Sequence, residues 1–326
     1  MFSTLAVPLD GSPLAERALP YAIRMAQASQ GRLILVRAAL APPPRTLDGA
    51  SWEQDQAEAV EEAETYLKQI ADSLAGQVAS VEIAAPYGRA SAQILEAAAR
   101  FNAEGIVMAT HGRTGLPHLL YGSVTEAVLA DTSIPVFVVY ARPGEPASPT
   151  FSPKSARVLV TQDGSEFDAA AVDAAIKLVG PEGEIILVSV IPPPERVTRD
   201  EVGHVIAYLD QQEESDKLQA REYLTTIAVQ MRTRGATSQV KTDVRIGDPA
   251  SGIAMAAIDE SADVIVMATH GRTGIGRAVF GSVAGTVLRS APTPVVLVHP
   301  HAGATATAAA AAPEEVLEAG VAPPLF

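Results

Sequence analysis

Ile106-Val107-Met108-Ala109-Thr110-His111-Gly112-Arg113-Thr114-Gly115 returns as Ile265-Val266-Met267-Ala268-Thr269-His270-Gly271-Arg272-Thr273-Gly274, and Gly122-Ser123-Val124 returns at the same distance as Gly281-Ser282-Val283. Self-similarity at so long a period signifies duplicated domains, because the units of a solenoid are only about 20–50 residues long. Other pairs keep the order: Asp10-Gly11-Ser12 with Asp163-Gly164-Ser165, Gly31 with Gly183, Tyr66-Leu67 with Tyr223-Leu224, and Gly88 with Gly247. A length of 326 residues agrees with two domains, each large enough to bury its own core. The expected division is 1–142 for the first domain, a Pro-rich linker at 143–154 with little to bury, 155–300 for the second, and an Ala-rich flexible tail at 301–326.

Within each half, short apolar runs alternate with helical spacers. Leu5 to Leu9 and Arg157 to Thr161 read as first strands, Leu33 to Val36 and Glu184 to Val190 as second strands, and Val81 to Ala85 and Val240 to Arg245 as third strands. Gly105 to Ala109 and Val264 to Ala268 come fourth, Val136 to Tyr140 and Val295 to His299 fifth. Short continuous apolar runs suit parallel strands buried on both faces, so the fold class is α/β: two tandem doubly wound, Rossmann-like domains, each a five-stranded parallel sheet with helices on both faces. The first helix of half one is expected to start at Ser12 as N-cap with Pro13 next, and to bend at Pro20. In half two, Ser165 with Asp168 three residues on reads as a capping box.

Cysteine is absent, which removes disulfides, thiolate metal sites and cysteine nucleophiles together and makes the cytoplasm the expected compartment. A formal net charge of −14 repels nucleic-acid phosphates and anionic membranes, and no basic cluster offsets it. No apolar run reaches the ~18 residues of a spanning helix, and the first residues lack the pattern of an export signal. Neither nucleic acid nor membrane is an expected partner. The acidic run from Asp48 to Glu64 reads as a solvated helix face, with Trp52 as a packing residue.

In both halves the fourth strand runs into a glycine-containing loop that delivers Gly122-Ser123 or Gly281-Ser282 at a helix start. That order suits phosphate: glycine allows close backbone approach, and a helix start offers unpaired N–H groups and a positive dipole end, worth ~0.3–1 kcal/mol per anionic group. Ser123 and Ser282 add a hydroxyl and are expected to cap the helix. His111 and His270 can shape the loop by a hydrogen bond or act as acid, base or phosphoryl acceptor. Asp10 and Asp163 can serve ribose or Mg²⁺, or close an Asx turn. Arg113 and Arg272 can neutralise phosphate or stand in solvent.

With Ala-Thr-His-Gly, nine residues, then Gly-Ser, each half resembles the ATP-binding signature of universal stress proteins, Gly-x-x-Gly-x9-Gly-Ser or Thr. The resemblance covers roughly residues 1–140 and 155–300 and implies an adenine nucleotide alpha hydrolase-like fold. It implies that Asp10 and Asp163 reach the ribose and adenine side and that Ala38 and Val190 touch adenine. It further implies that Met108, Gly112, Gly122, Ser123, Val124 and Thr125 line the first site, and Met267, Gly271, Gly281, Ser282, Val283 and Ala284 the second. The sequence departs from the signature at its first glycine, which is Ala109 and Ala268; at φ > 0 an alanine there costs about 1 kcal/mol, and at ordinary φ it adds only a methyl. Thr125 against Ala284 is a second asymmetry.

The function expected from this resemblance is an ATP-binding, nucleotide-responsive regulator of a stress response, with ATP, with or without Mg²⁺, as ligand. Metal ligands are not assigned. No Walker-type Gly-x4-Gly-Lys or kinase set is present, so an enzymatic alternative is limited to slow ATP hydrolysis or self-phosphorylation, and a nucleotide-free dimerisation scaffold is the third reading. The fifth strands are expected to pair with each other within the chain, making a pseudo-dimer, with a two-chain homodimer as a further step of assembly.

Overall fold

A computed structural model of the chain describes residues 1–40, 49–111, 122–141, 151–165, 167–194, 198–199, 205–234, 239–269 and 281–299. Half one runs β1 (Thr4–Pro8), a 3-10 turn (Ala15–Ala18), α1 (Leu19–Ser29), β2 (Arg32–Val36), α2 (Gly49–Ser73), β3 (Ser80–Ala84), α3 (Ala90–Arg100), β4 (Gly105–His111), α4 (Ser123–Asp131) and β5 (Val136–Ala141). Half two runs β6 (Arg157–Thr161), α5 (Asp168–Leu178), β7 (Glu184–Ile191), the short pair β8 (Thr198–Arg199) and β9 (Val205–Ala207), α6 (Leu209–Thr233), β10 (Gln239–Ile246), α7 (Pro249–Asp259), β11 (Val264–Ala268), α8 (Ser282–Ser290) and β12 (Val295–Val298). The doubly wound α/β class read from the repeat is the class observed; the short β8–β9 pair, which has no counterpart among the described residues of half one, was not expected.

The strands form one ten-stranded sheet in the order β10-β7-β6-β11-β12-β5-β4-β1-β2-β3. In each half the first strand is central; the second and third extend to one side, and the chain returns to lay the fourth on the other. Every neighbour is parallel except β5 and β12, which run antiparallel with Val138 opposite Val295 and Val136 opposite Leu297. The outermost strands are guarded by charge, through Arg32–Glu82 at 2.6 Å beside β3 and through Lys241–Glu184 at 2.6 Å and Arg245–Asp243 at 2.6 Å on β10. Charged side chains on an outer strand discourage further strand addition.

Successive strand residues feed opposite apolar cores. Leu5, Val7, Leu33 and Leu35 pack with α1 and α2 on one face, while Ala6, Ile34, Val36 and Ile106 pack with α3 and α4 on the other. Each core continues through the β5–β12 seam into half two. Phe151 joins the first of them: it is 2% exposed, its ring lies 5.8 Å from Phe137 and 6.1 Å from Tyr21, and its carbonyl accepts a hydrogen bond from Arg24 Nη1 at 3.1 Å. The segment between the halves therefore has more to bury than its proline content suggests.

Two local expectations give way. Pro20 does not bend a helix interior, because the segment before it is a 3-10 turn and the proline falls in the first turn of α1, where its missing N–H costs nothing. The Ser165–Asp168 capping box does not form: α5 begins at Asp168, whose carboxylate reaches back to the N–H groups of Asp163 and Gly164 instead. Because Phe151 bridges the linker to α1 and β5, Phe151→Ala is expected to cost about 3–5 kcal/mol. Urea denaturation at unchanged slope measures the loss, and a change below 1 kcal/mol would show that the aromatic cluster contributes little.

Candidate functional site

The polar apparatus gathers where the strands end, since the strands themselves are buried on both faces. After β1, the Leu9 N–H still bonds to Val36 O at 2.8 Å, and the chain then turns through Asp10-Gly11-Ser12. Asp10 Oδ1 accepts the Ser12 N–H at 2.9 Å, and Asp163 Oδ1 accepts the Ser165 N–H at 2.9 Å. Both halves thus form the Asx turn, with Gly11 at φ 85° and Gly164 at φ 77°, the left-handed region that favours glycine. The turn and a ligand role are compatible, because the turn bond uses one carboxyl oxygen and both aspartates are exposed. Ser12 Oγ caps the following 3-10 turn by accepting the Ala15 N–H at 3.1 Å.

Ala38 follows β2 and is half-buried; beside it Ala39 N bonds to Pro86 O at 2.8 Å, which carries parallel pairing one step beyond the strand. Val190 lies in β7 with its side chain beneath α7: a Cβ placed on Gly252 would stand 2.6 Å from Val190 Cγ1. The valine side chain is therefore engaged in helix packing, and what it offers a ligand is backbone.

Met108 and Met267 are each 4% exposed and belong to the core on the α3 and α7 face, so they too offer backbone. Ala109 pairs with Val139 and Ala268 with Val298 in regular strand, and neither is among the positive-φ residues. The departure from the signature thus carries no backbone strain and amounts to a methyl. Next in line, Thr110 is 2% exposed with Oγ1 lacking a partner, whereas Thr269 Oγ1 lies 3.0 Å from His299 Nδ1. The side chain of His111, and His270, Gly112, Arg113, Gly271 and Arg272 altogether, lie outside the described residues.

The helix starts are built alike. Gly122 (φ −61°, ψ 135°) and Gly281 (φ −59°, ψ 152°) occupy the N-cap positions of α4 and α8, with no side chain capping either helix. Ser123 and Ser282 are therefore the first helical residues, exposed, and not the caps expected of them. Gly281 N bonds to Thr269 O at 3.0 Å, fixing the start of α8 to the end of β11. Among the described residues, a Cβ on Gly122 would meet nothing nearer than Thr125 Oγ1 at 3.8 Å, so none of them crowds this N-cap. Thr125 and Ala284 are each 3% exposed, and Val124 and Val283 pack against the core, so the surfaces facing the cleft are N–H groups, glycine and a serine hydroxyl. An open helix N-terminus of that make-up fits an anion such as a phosphate. The buried Thr110 hydroxyl, without a partner at the adjoining strand end, fits a further polar contact from the same direction.

In half one a cleft of about 690 Å³ opens between the Asp10-Gly11 turn and α2. Arg37 lies across it, paired with Glu62 at 2.9 Å and 5.0 Å from the ring centre of Tyr66, whose hydroxyl donates to Glu16 Oε1 at 2.9 Å. Burial, and then the Glu16 carboxylate, hold the Tyr66 hydroxyl well above its usual range. With Glu58, Glu61 and Glu62 along its wall, this cleft repels phosphate, which leaves the start of α4 as the anion-suited part of the site. In half two Tyr223, the counterpart of Tyr66, donates instead to Asp168 Oδ2 at 2.8 Å. Arg37, Glu16 and the role of Asp168 escaped the sequence reading; the recurring Tyr66-Leu67 and Tyr223-Leu224 pair was the available signal. Among the described residues no cluster of His, Asp and Glu is arranged to hold a metal ion, and no helix is long and apolar enough to cross a membrane.

Two doubly wound units, each with an aspartate turn and a glycine at the N-cap of a helix outside its strand ends, define a duplicated α/β protein. The model of the universal stress protein family matches residues 1–140 and 155–299, and the chain belongs to that family. A universal stress protein of Thermus aquaticus is 34% identical over 139 residues, spanning 43% of this chain and 99% of that protein. One from Methanocaldococcus jannaschii is 29% identical over 140 residues, 43% of this chain and 82% of that protein. Among solved structures, a universal stress protein from Archaeoglobus fulgidus shares the fold over 92% of this chain and 97% of its own, with a TM-score of 0.64 at 21% identity.

The glycine and alanine geometry yields a paired test. Gly164→Ala is expected to cost about 1–2 kcal/mol, because φ 77° is strained for any residue with a Cβ. Ala268→Gly, although it restores the signature, should lose on the order of 0.5–1 kcal/mol of strand stability. Denaturation of both variants checks the pair; stabilisation by Ala268→Gly would contradict the ordinary backbone assigned to that alanine.

Proposed function

We propose that this universal stress protein binds ATP at one or both clefts and acts as a nucleotide-responsive regulator. The observation that carries the reading is the matched arrangement in the two halves: an exposed aspartate on a glycine turn beside the first strand, and an uncapped helix start behind Gly122-Ser123 or Gly281-Ser282 beyond the fourth. The two elements flank the point where the strand order reverses, the usual ligand position in open parallel sheets. Asp10 and the Ala38 backbone, with Asp163 and the Val190 backbone in half two, hold the nucleoside in this reading. The N–H groups from Ser123 to Thr125 and from Ser282 to Ala284 take the phosphates, together with Gly112, Arg113, Gly271 and Arg272. Burial of Met108, Met267, Thr125 and Ala284 leaves these four positions to contribute through backbone rather than side chain.

Regulation requires only that nucleotide bind one arrangement of the protein better than another. In this proposal the two halves stay paired in solution through β5 and β12, a contact supported by their antiparallel register and by the cores that cross it. The chain works in the cytoplasm, and Mg²⁺ accompanies the nucleotide without an assigned protein ligand.

Two measurements test this. ATP at a hundred times its Kd should stabilise the fold by about 2.7 kcal/mol, and the gain should shrink in Asp10→Ala and Asp163→Ala chains; an unchanged melting curve, with no heat in calorimetry, would leave the nucleotide-free scaffold. Val138→Pro, which removes an N–H from the strand at the seam, should enlarge the radius of gyration in X-ray scattering. An unaltered profile would reject pairing through this strand.

A further inference from the structure

The same Asp-Gly turn has opposite charges beside it in the two halves. In half one the neighbour is Arg37, whose guanidinium carbon would lie 3.5 Å from a Cβ placed on Gly11. By strand register the residue matching Arg37 is Ser189, and the support in half two is Asp168, where half one has Ala15. Asp168 Oδ2 accepts the Gly164 N–H at 2.8 Å, the Asp163 N–H at 3.1 Å and the Tyr223 hydroxyl at 2.8 Å. The residue is 4% exposed. Three donors on one oxygen of a buried carboxylate, two of them the backbone of the turn itself, exceed what a helix start needs.

We propose that Asp168 is a positioning residue of the second site: as an anion it fixes the Asp163-Gly164 turn, and when neutral it releases it, so that nucleotide affinity falls on acidification at the second site and not at the first. This rests on the nucleotide reading given above. Burial pushes the Asp168 carboxyl up to about 6, the Tyr223 hydroxyl opposing and the Asp163 charge assisting. Asp163 from the turn and Tyr223 from α6 are the titratable groups that face it among the described residues; Glu166 lies outside them.

The sign separates positioning from simple support. The folded value lies above the ordinary carboxylate value of 3.8, so the contribution of Asp168 to global stability is full below 3.8 and is lost as pH rises through about 6. The turn responds in the opposite sense, since N–H bonds to a carboxylate are about twice as strong as those to a neutral acid. Acidification therefore tightens the fold while loosening the turn.

The test uses the full chain. In NMR the Gly164 amide should titrate with a midpoint near 6. That titration should vanish in Asp168→Asn and move to higher pH in Tyr223→Phe, while the Gly11 amide stays unaffected. In an Asp10→Ala chain, which leaves the second site to bind ATP, Kd should rise roughly three- to tenfold from pH 7.5 to 5.5. With Asp168→Asn added, only the pH dependence of ATP itself should remain. A Gly164 titration unchanged by Asp168→Asn, or a pH dependence of Kd equal with and without Asp168, overturns the proposal. Failure of the nucleotide reading shows separately, as no heat of ATP binding to the unsubstituted chain at pH 7.5; that result overturns the affinity part, and the amide titration still decides the turn.

Discussion

Strands with both faces buried are the constraint from which the rest follows. Leu5, Ala6 and Val7 are at most 1% exposed, as are Leu33, Ile34 and Leu35, so neither face of the sheet can be left to water. Helices must cover both sides, and parallel connection supplies them alternately. Polar chemistry is thereby excluded from the length of the strands and confined to their ends. At the carboxyl end the chain departs in opposite directions from β1 and β4, the place where open parallel sheets usually hold ligands, and β6 and β11 repeat the arrangement.

Duplication preserved the parts that depend on backbone and changed those that depend on side chains. The Asx turn, the left-handed glycine and the glycine-capped helix recur with nearly the same angles in the two halves. The supports behind them do not: Glu16 and Arg37 meet Tyr66 in one half, while Asp168 meets Tyr223 in the other. Backbone geometry is demanded by any ligand held through N–H groups, whereas several side-chain arrangements can brace the same turn. The family membership describes the shared part, and the bracing distinguishes the two units.

The repeat and the apolar runs made the fold legible, because continuous burial leaves an unbroken signature such as Val295-Val296-Leu297-Val298. Local starts were harder to read. Ser165 with Asp168 has the spacing of a capping box, yet the carboxylate finds two turn N–H groups and a tyrosine from a helix 55 residues away, which no local pattern encodes. Phe151 falls in the Pro-rich stretch read as a linker with little to bury, but its partners Tyr21 and Phe137 are far away in sequence. At the site, the glycines and aspartates were visible as motif. That Met108, Met267 and Thr125 turn into the core, and that Arg37 lies under Gly11, follow from side-chain direction, which the motif does not carry.

The antiparallel meeting of β5 and β12 reverses every strand of one half relative to the other. The carboxyl ends of β1 and β4 therefore point up the sheet where those of β6 and β11 point down. The Asp10 and Asp163 turns, which follow β1 and β6, therefore stand at opposite ends of the sheet.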